Sequence, residues 1–140
     1  MVARFRVATK ATGIRRQVYV HVYDDREEMQ RAHAVAQGVP FDPIETVAGG
    51  VAQQQGYRWP RPDAGPVVVM RLCTEHLSTW VIAHEAVHCA TSFFFMDCAR
   101  WDTRLRSVFT GSGADEPLAY AVGDIASEVI GRLYPLGLLS

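Results

Sequence analysis

The chain has 140 residues, a formal net charge of -1, 49% hydrophobic residues and 21% charged residues, which are ordinary values for a globular domain. This length fits a single domain over residues 1–140, with residues 134–140 as a C-terminal tail. A net charge near zero excludes a general attraction to nucleic acid or acidic lipid, and no stretch approaches the ~20 apolar residues of a membrane span. We therefore expect no nucleic acid or membrane partner, and the oligomeric state stays open.

Residues 1–16 form a basic N-terminal segment that contains five cationic side chains and no acidic one. A solvated arm is the simpler interpretation, and a docking patch for an acidic partner is the alternative. The segment carries charges where a secretory leader would have its apolar stretch. The three cysteines cannot all pair within one chain, which favours reduced thiols in a cytoplasmic protein.

The first elements predicted along the chain are a strand over residues 17–23 and a polar helix over residues 26–37. The strand follows from its alternating β-branched and aromatic side chains. Asp24 or Asp25 is the expected N-cap of the helix, and Gly38 marks its end.

Two further strands are predicted before the middle of the chain. Residues 46–55 are ambiguous and favour a strand with a bend at Gly49 and Gly50. A loop over residues 59–66 leads to a short, β-branched strand over residues 67–72.

The second half of the chain is predicted to contain two main helices. The first covers residues 75–94 after Thr74 as N-cap, and it is apolar on almost every side, so we expect it to be central and buried. Residues 96–114 are expected to form a short helix or irregular cover. The last helix covers residues 116–133, with apolar side chains at helical spacing. The predicted layout is β-α-β-β-α-α, an α+β fold in which a three-stranded sheet packs on two helices.

His84, Glu85 and His88 form an HExxH motif inside the first of these helices. Two histidines four residues apart lie on one face, ~6 Å apart along the helix axis, so both imidazoles can reach one cation. Glu85 lies ~100° round the helix and can lean over a metal-bound water as a general base. Without a shared metal, three such polar groups in an apolar helix would be costly to bury. The motif therefore predicts two zinc ligands and a base.

A catalytic zinc ion usually has three protein ligands and one water. Glu116 is the preferred third ligand because it opens the last helix, although a first-turn carboxylate favoured by the helix dipole is the alternative interpretation. Tyr120, one turn later, could donate to a ligand or to a developing oxyanion, and Asp124 could hold a ligand imidazole by its second N–H. The other acidic residues considered downstream are Asp97, Asp102, Asp115 (expected as the N-cap) and Glu128.

The letters HEAVH, followed 28 residues later by the glutamate of DEPLAYAVGDI, resemble the small gluzincin metallopeptidases, or minigluzincins. The similarity is greatest to short HExxH proteins of phage and prophage genomes, whose corresponding helix reads roughly D-E-x-x-A-Y-x-x-G. The order of elements agrees, so the resemblance covers about residues 17–133, although only the two helices are specific. Larger gluzincins often place aspartate where this chain has Tyr120.

The resemblance implies a zincin-like fold and a metallopeptidase with one Zn²⁺ bound by His84, His88 and Glu116, with Glu85 as the base. Its substrate would be a peptide or protein in the cytoplasm of a bacterium or a phage-infected host. In such folds an edge strand beside the zinc pairs with extended substrate, and residues 67–72 are the strand considered for this role. Two alternatives stay open: an inactive or regulatory binding protein that uses zinc structurally, and a virion or host-takeover component.

Overall fold

A computed structural model describes residues 1–43, 49–55, 67–99 and 115–140, with the backbone alone for residues 53–55 and 99. The elements in chain order are β1 (Ala3–Thr9), β2 (Arg16–Tyr23), α1 (Arg26–Gln37), β3 (Gly50–Gln55), β4 (Val67–Cys73), α2 (Thr79–Phe94) and α3 (Glu116–Leu133). A short 3-10 turn, Thr74–His76, precedes α2, and a π-helical turn, Phe95–Ala99, follows it. The predicted α+β class is confirmed. The predicted loop over residues 59–66 and the prediction for residues 100–114 lie outside the described residues.

The strands form one sheet in the order β1-β2-β4-β3. β1 pairs antiparallel with β2, β2 pairs parallel with β4, and β3 pairs antiparallel with β4. The parallel pair requires a crossover connection, and α1 lies within it. Among the described strands β1 and β3 are the edges, and β4 is paired on both sides, so residues 67–72 are not the substrate-pairing edge that was considered.

The sheet has four strands where three were predicted, because β1 forms within the basic N-terminal segment. Arg4 and Arg6 are exposed, whereas Val7 and Thr9 are buried. Charged side chains at alternate positions let one face of an edge strand stay in water while the other packs on the core. The segment is therefore part of the sheet and not a free arm.

The main core lies between one face of the sheet and the inner faces of α2 and α3. Side chains at every second position of β2 and on one stripe of α3 are fully buried there: Val18, Val20, Val22, Ala121, Ile125, Val129 and Leu133. α1 packs on the opposite face over a smaller cluster formed by Tyr23, Met29 and Cys73. This arrangement fixes α2 and α3 side by side on the sheet.

The bounds of α1 and α3 agree with the sequence-based expectations. Asp25 is the N-cap of α1, and its carboxylate accepts hydrogen bonds from the amides of Glu27 and Glu28. Gly38 ends this helix with a φ of 71°, the left-handed conformation that glycine adopts without a steric penalty. Within the described ranges, no helix is both long and apolar enough to cross a bilayer.

Helix α2 begins later than predicted, and less of its surface is buried than predicted. Ser78 is the N-cap in place of Thr74, and its hydroxyl oxygen accepts a hydrogen bond of 3.2 Å from the amide of Val81. One face of the helix is exposed, since the side chain of Trp80 is 69% exposed and that of Val87 is exposed as well. The expectation that α2 is buried almost all round is therefore wrong, and the exposed face carries the histidines of the HExxH motif.

Candidate metal centre

His84 and His88 stand one turn apart on the exposed face of α2. Their Nε2 atoms are 3.3 Å apart, and their ring centroids are 5.0 Å apart. Two Zn–N bonds of about 2.05 Å at a tetrahedral angle hold their nitrogen atoms about 3.3 Å apart. The pair therefore has the separation that two ligands of one zinc ion require. A hydrogen bond between two neutral imidazoles can have a similar length, so metal content is what distinguishes the two explanations.

Trp80 extends the histidine face by one more turn. Its ring stacks on that of His84, with centroids 5.3 Å apart and planes inclined by 26°. This contact was not predicted, because the helix was expected to be buried on almost every side. The spacing of four between Trp80, His84 and His88 was the available signal, because residues four apart share a helix face.

Glu85 lies on the other side of the motif, where α2 packs on the edge strand β3. Its side chain is only 5% exposed. Burial raises the pKa of Glu85, and this effect outweighs the positive charges of His84 and His88 and a hydrogen bond from the Ala52 backbone, which lower it. The Glu85 carboxylate thus lies against β3 and within electrostatic reach of both imidazoles.

Gly50 makes room for this carboxylate at the start of β3. A Cβ atom built on Gly50 would lie 3.0 Å from Cγ of Glu85, 3.0 Å from Cδ2 of Leu72 and 3.1 Å from Cγ1 of Val81. Real Cβ atoms rarely have contacts this short with buried neighbours. The strand can therefore approach Glu85 closely because a glycine occupies this position.

Asp97 is excluded as a metal ligand by its hydrogen bonds. It follows α2 in the π-helical turn, and its side chain is 3% exposed. Its carboxylate accepts a hydrogen bond of 2.6 Å from the Thr12 hydroxyl and forms a two-atom ion pair with the guanidinium of Arg16. Burial raises the pKa of Asp97, but the hydrogen bonds from Arg16 and Thr12 prevail, and its pKa lies below the ordinary value. This side chain fastens the end of α2 to the β1–β2 connection.

The carboxylates of Asp124 and Glu128 both accept hydrogen bonds from β1. Oδ2 of Asp124 accepts a hydrogen bond of 2.8 Å from the hydroxyl of Thr9. Oε2 of Glu128 accepts one of 3.0 Å from the amide of Ala8. Asp124 is thus bound to β1 through one carboxylate oxygen, and its predicted role toward a ligand imidazole stays a prediction.

Glu116 is the first residue of α3, and its side chain is exposed. Asp115 is the N-cap position, as predicted, although its side chain forms no capping hydrogen bond. Leu118 packs against Phe94, which brings the start of α3 to the end of α2. Among the described residues, however, no group of three or more histidine, cysteine, aspartate or glutamate side chains is placed to hold a metal ion.

The structure thus brings together His84, His88 and Glu85 and leaves Glu116 outside this group. Tyr120 lies one turn after Glu116 with its side chain 66% exposed. Its predicted role toward an oxyanion stays a prediction. Asp102 falls outside the described residues.

Cys89 follows His88 and points into the core. It is fully buried, as the sequence predicted, and burial strongly raises the pKa of its thiol. A protonated thiol is a poor metal ligand and a poor nucleophile. Cys89 therefore takes part in packing behind the histidine pair.

The chain was also compared with known proteins. No family model, no curated protein and no solved structure matches it. The function proposed for the chain therefore follows from the residues of this site and their geometry.

Proposed function

We propose that the protein is a zinc-dependent peptidase of the gluzincin type, in which His84, His88 and Glu116 bind one zinc ion and Glu85 is the general base. The observation that carries the proposal is the 3.3 Å separation of the two Nε2 atoms, which matches two ligands of a tetrahedral ion. The buried carboxylate of Glu85 beside the pair is the second feature that such an enzyme needs.

Glu116 is the third ligand in this proposal because three of the other four acidic residues that the structure describes after His88 are bound elsewhere. Asp97, Asp124 and Glu128 are bound to Arg16 or to β1. Glu116 opens a helix whose first turn already packs on the end of α2. Metal binding commonly organises its own ligands, so we propose that the ion draws this exposed carboxylate toward the histidine pair.

The reaction is hydrolysis of a peptide bond. Zinc bound at this position would act as a Lewis acid, polarising the scissile carbonyl and lowering the pKa of a water. Glu85 accepts a proton from that water at its carboxylate oxygen and returns it to the nitrogen of the leaving amine. Its raised pKa favours both transfers, because a group that takes and returns a proton works best with a pKa near the ambient pH.

The proposed substrate is an extended peptide segment. β3 is an edge of the sheet, and it lies beside Glu85. An unpaired strand edge offers backbone N–H and C=O groups that bind an extended chain by strand addition. The free thiols of Cys73, Cys89 and Cys98 support a cytoplasmic site of action.

Metal content tests the first part of the proposal. Purified protein dialysed against dilute zinc should retain about one ion per chain by atomic emission, since the proposed site takes a single ion. His84→Ala and His88→Ala should retain none, and Glu116→Gln should bind zinc more weakly. Wild-type protein that folds fully and takes up no zinc would show that the two imidazoles only bond to each other.

Proteolysis tests the second part. Wild type and Glu85→Gln, both loaded with zinc, are incubated with bacterial lysate, and new N-termini are mapped by mass spectrometry. Cleavages that appear with wild type alone support the peptidase. A Glu85→Gln variant that keeps zinc and the full biological effect would support the regulatory alternative, in which zinc is structural.

A further inference from the structure

A groove runs along the free edge of β1, on the side of the sheet opposite β3. It consists of two adjoining cavities of about 630 Å³ and 470 Å³. Both cavities include Arg4, Phe5 and Arg132, so they form one continuous depression between β1 and the C-terminal end of α3. Three strand spacings, about 14 Å, separate this edge from β3. The groove is therefore distinct from the candidate metal centre.

One end of the groove is strongly basic. Arg4, Arg6 and Arg132 line it, and the guanidinium of Arg6 lies over the ring of Tyr19 at 5.8 Å from the centroid. In the described part of the chain, no carboxylate forms an ion pair with any of these three arginines. The net charge of the chain is -1, so this cluster is a local feature and not a sign of a generally basic surface.

The other end of the groove is apolar. It is lined by Val2, Pro135 and Leu136, and the side chains of Val2 and Leu136 are exposed. Gly131 of α3 forms part of the wall, and a Cβ atom added there would meet nothing within 4 Å. The absence of a side chain on Gly131 keeps this end open.

Between the two ends, the backbone of β1 has free hydrogen-bonding groups. Successive amides of a strand point to opposite sides. Alternate residues of β1 therefore direct their N–H and C=O groups away from β2, as the amide of Ala8 does when it donates to Glu128. The two ends of the strand are fastened by Glu128 at Ala8 and by Glu28 at the Met1 amine. The free edge is thus about five residues long, roughly 17 Å.

We propose that this groove binds an extended acidic peptide segment of a partner protein, which adds to β1 as a fifth strand. Its backbone would pair with the N–H and C=O groups that β1 directs away from β2. Acidic side chains at alternate positions would meet the arginines, and apolar side chains would reach Val2 and Leu136. This inference does not depend on the metal centre.

Other occupants fit the groove less well. A second copy of the chain paired through β1 would set Arg4 and Arg6 against the same arginines, and like charges across an interface are unfavourable. A polyphosphate or nucleic acid would suit the arginines but would gain nothing from the apolar end or from the strand amides. Acidic and apolar groups on one extended chain satisfy all three parts of the groove.

The test uses a defined probe, a fluorescein-labelled peptide of six residues that alternates glutamate and valine and ends in an amide. Fluorescence anisotropy should show saturable binding to the wild-type chain that weakens as salt is added. Arg4→Glu combined with Arg6→Glu should weaken binding at least about tenfold by charge reversal. Gly131→Trp should weaken it comparably by filling the apolar end, whereas Gly123→Trp, at an open position elsewhere on the same helix, should bind like wild type.

Three results would overturn the proposal. Equal binding of a peptide whose alternate backbone nitrogens are methylated would exclude strand pairing. Complete displacement of the probe by inorganic triphosphate, together with unchanged binding to Gly131→Trp, would show a general anion patch. Sedimentation that shows a dimer abolished by Arg4→Glu would assign the groove to a second copy of the chain.

Discussion

The ring of Trp80 stacks on the ring of His84, and the two ring centroids are 5.3 Å apart. Trp80 lies one helical turn before His84, and His88 lies one turn after it. Because an imidazole must hold one orientation to bind a metal ion, this stack restricts His84 without using its nitrogen atoms. Trp80 is 69% exposed, so its ring contributes little to the core, and its described ring contact is the stack on His84.

Trp80→Ala should therefore weaken zinc binding while leaving the fold intact. Ring stacking contributes about 0.5–1.5 kcal/mol, which predicts a loss of about 3- to 10-fold in zinc affinity. Trp80→Phe keeps an aromatic ring and should restore most of it. Competition titration with a chromogenic chelator measures the three affinities. Equal affinities for wild type and Trp80→Ala would show that the stack is incidental.

Glu85→Gln separates metal binding from catalysis. The amide has the shape of the carboxylate but cannot accept the proton, so cleavage should slow by about 100-fold or more while zinc content stays at the wild-type level. Glu75→Gln is the matched control, because Glu75 is exposed in the turn before α2 and lies 3.9 Å from His76, away from the motif. Loss of zinc in Glu85→Gln, or equal loss of cleavage in both variants, would contradict the assigned role.

Gly50→Ala tests the close approach of β3 to Glu85. The added methyl group would crowd Glu85, Leu72 and Val81 at 3.0–3.1 Å, and all three are held in the packed interface of α2 with the sheet. We expect a loss of about 1–3 kcal/mol in the free energy of unfolding, together with reduced cleavage because the carboxylate is displaced. Urea denaturation and a peptide cleavage assay measure the two effects.

Gly123→Ala, on α3, is the matched control, and its effect on stability should have the opposite sign to that of Gly50→Ala. An added Cβ meets nothing within 4 Å there, and alanine favours a helix over glycine. The free energy of unfolding should therefore rise by about 0.5–1 kcal/mol. If both alanine variants were equally destabilised, the effect at Gly50 could not be assigned to Glu85 and its neighbours.

Features that depend on local chemistry were predictable from the sequence. The cap formed by Asp25 and the left-handed Gly38 fix the ends of α1 through bonds within a few residues. The bounds of α3, Glu116–Leu133, were predictable from its apolar stripe, because the spacing of the buried side chains can be read from the sequence of that helix alone. The HExxH spacing likewise placed both imidazoles on one face.

Features that depend on distant parts of the chain were not predictable. Asp124 and Glu128 resemble possible zinc-site residues by position, yet they bind to β1, more than 110 residues earlier in the sequence. β1 was not predicted because arginines occupy alternate positions in it. This alternation indicates an edge strand only when its pairing with β2 is known. The choice of a third ligand is of the same kind, since it depends on where the start of α3 lies relative to α2.

The ion pair between Asp97 and Arg16 should make stability depend on pH. The folded-state pKa of Asp97 lies below its ordinary value, because hydrogen bonds from Arg16 and Thr12 outweigh the effect of burial. A depressed carboxylate pKa contributes stability that is fully present above the unfolded-state value of about 3.9 and is lost as the pH falls through the lower folded-state value. Asp97→Asn should cost about 2 kcal/mol at neutral pH, since a neutral amide forms weaker hydrogen bonds with Arg16 and Thr12 than the carboxylate does.

The difference in unfolding free energy between wild type and Asp97→Asn should shrink as the pH falls below about 4, because the Asp97 carboxyl of the unfolded chain is protonated first, which favours unfolding of the wild type. The folded-state carboxyl is protonated at lower pH and then resembles the amide. Urea denaturation of both proteins from pH 7 to pH 3 measures this difference directly, and the other acidic groups contribute equally to both. Asp24→Asn is the control: its carboxylate is exposed and lies 4.0 Å from the Met1 amine, so its removal should change stability by less than about 0.5 kcal/mol at any pH. A difference for Asp97→Asn that stays constant down to pH 3 would mean that the carboxylate contributes through packing, because only a contribution that depends on its charge disappears on protonation.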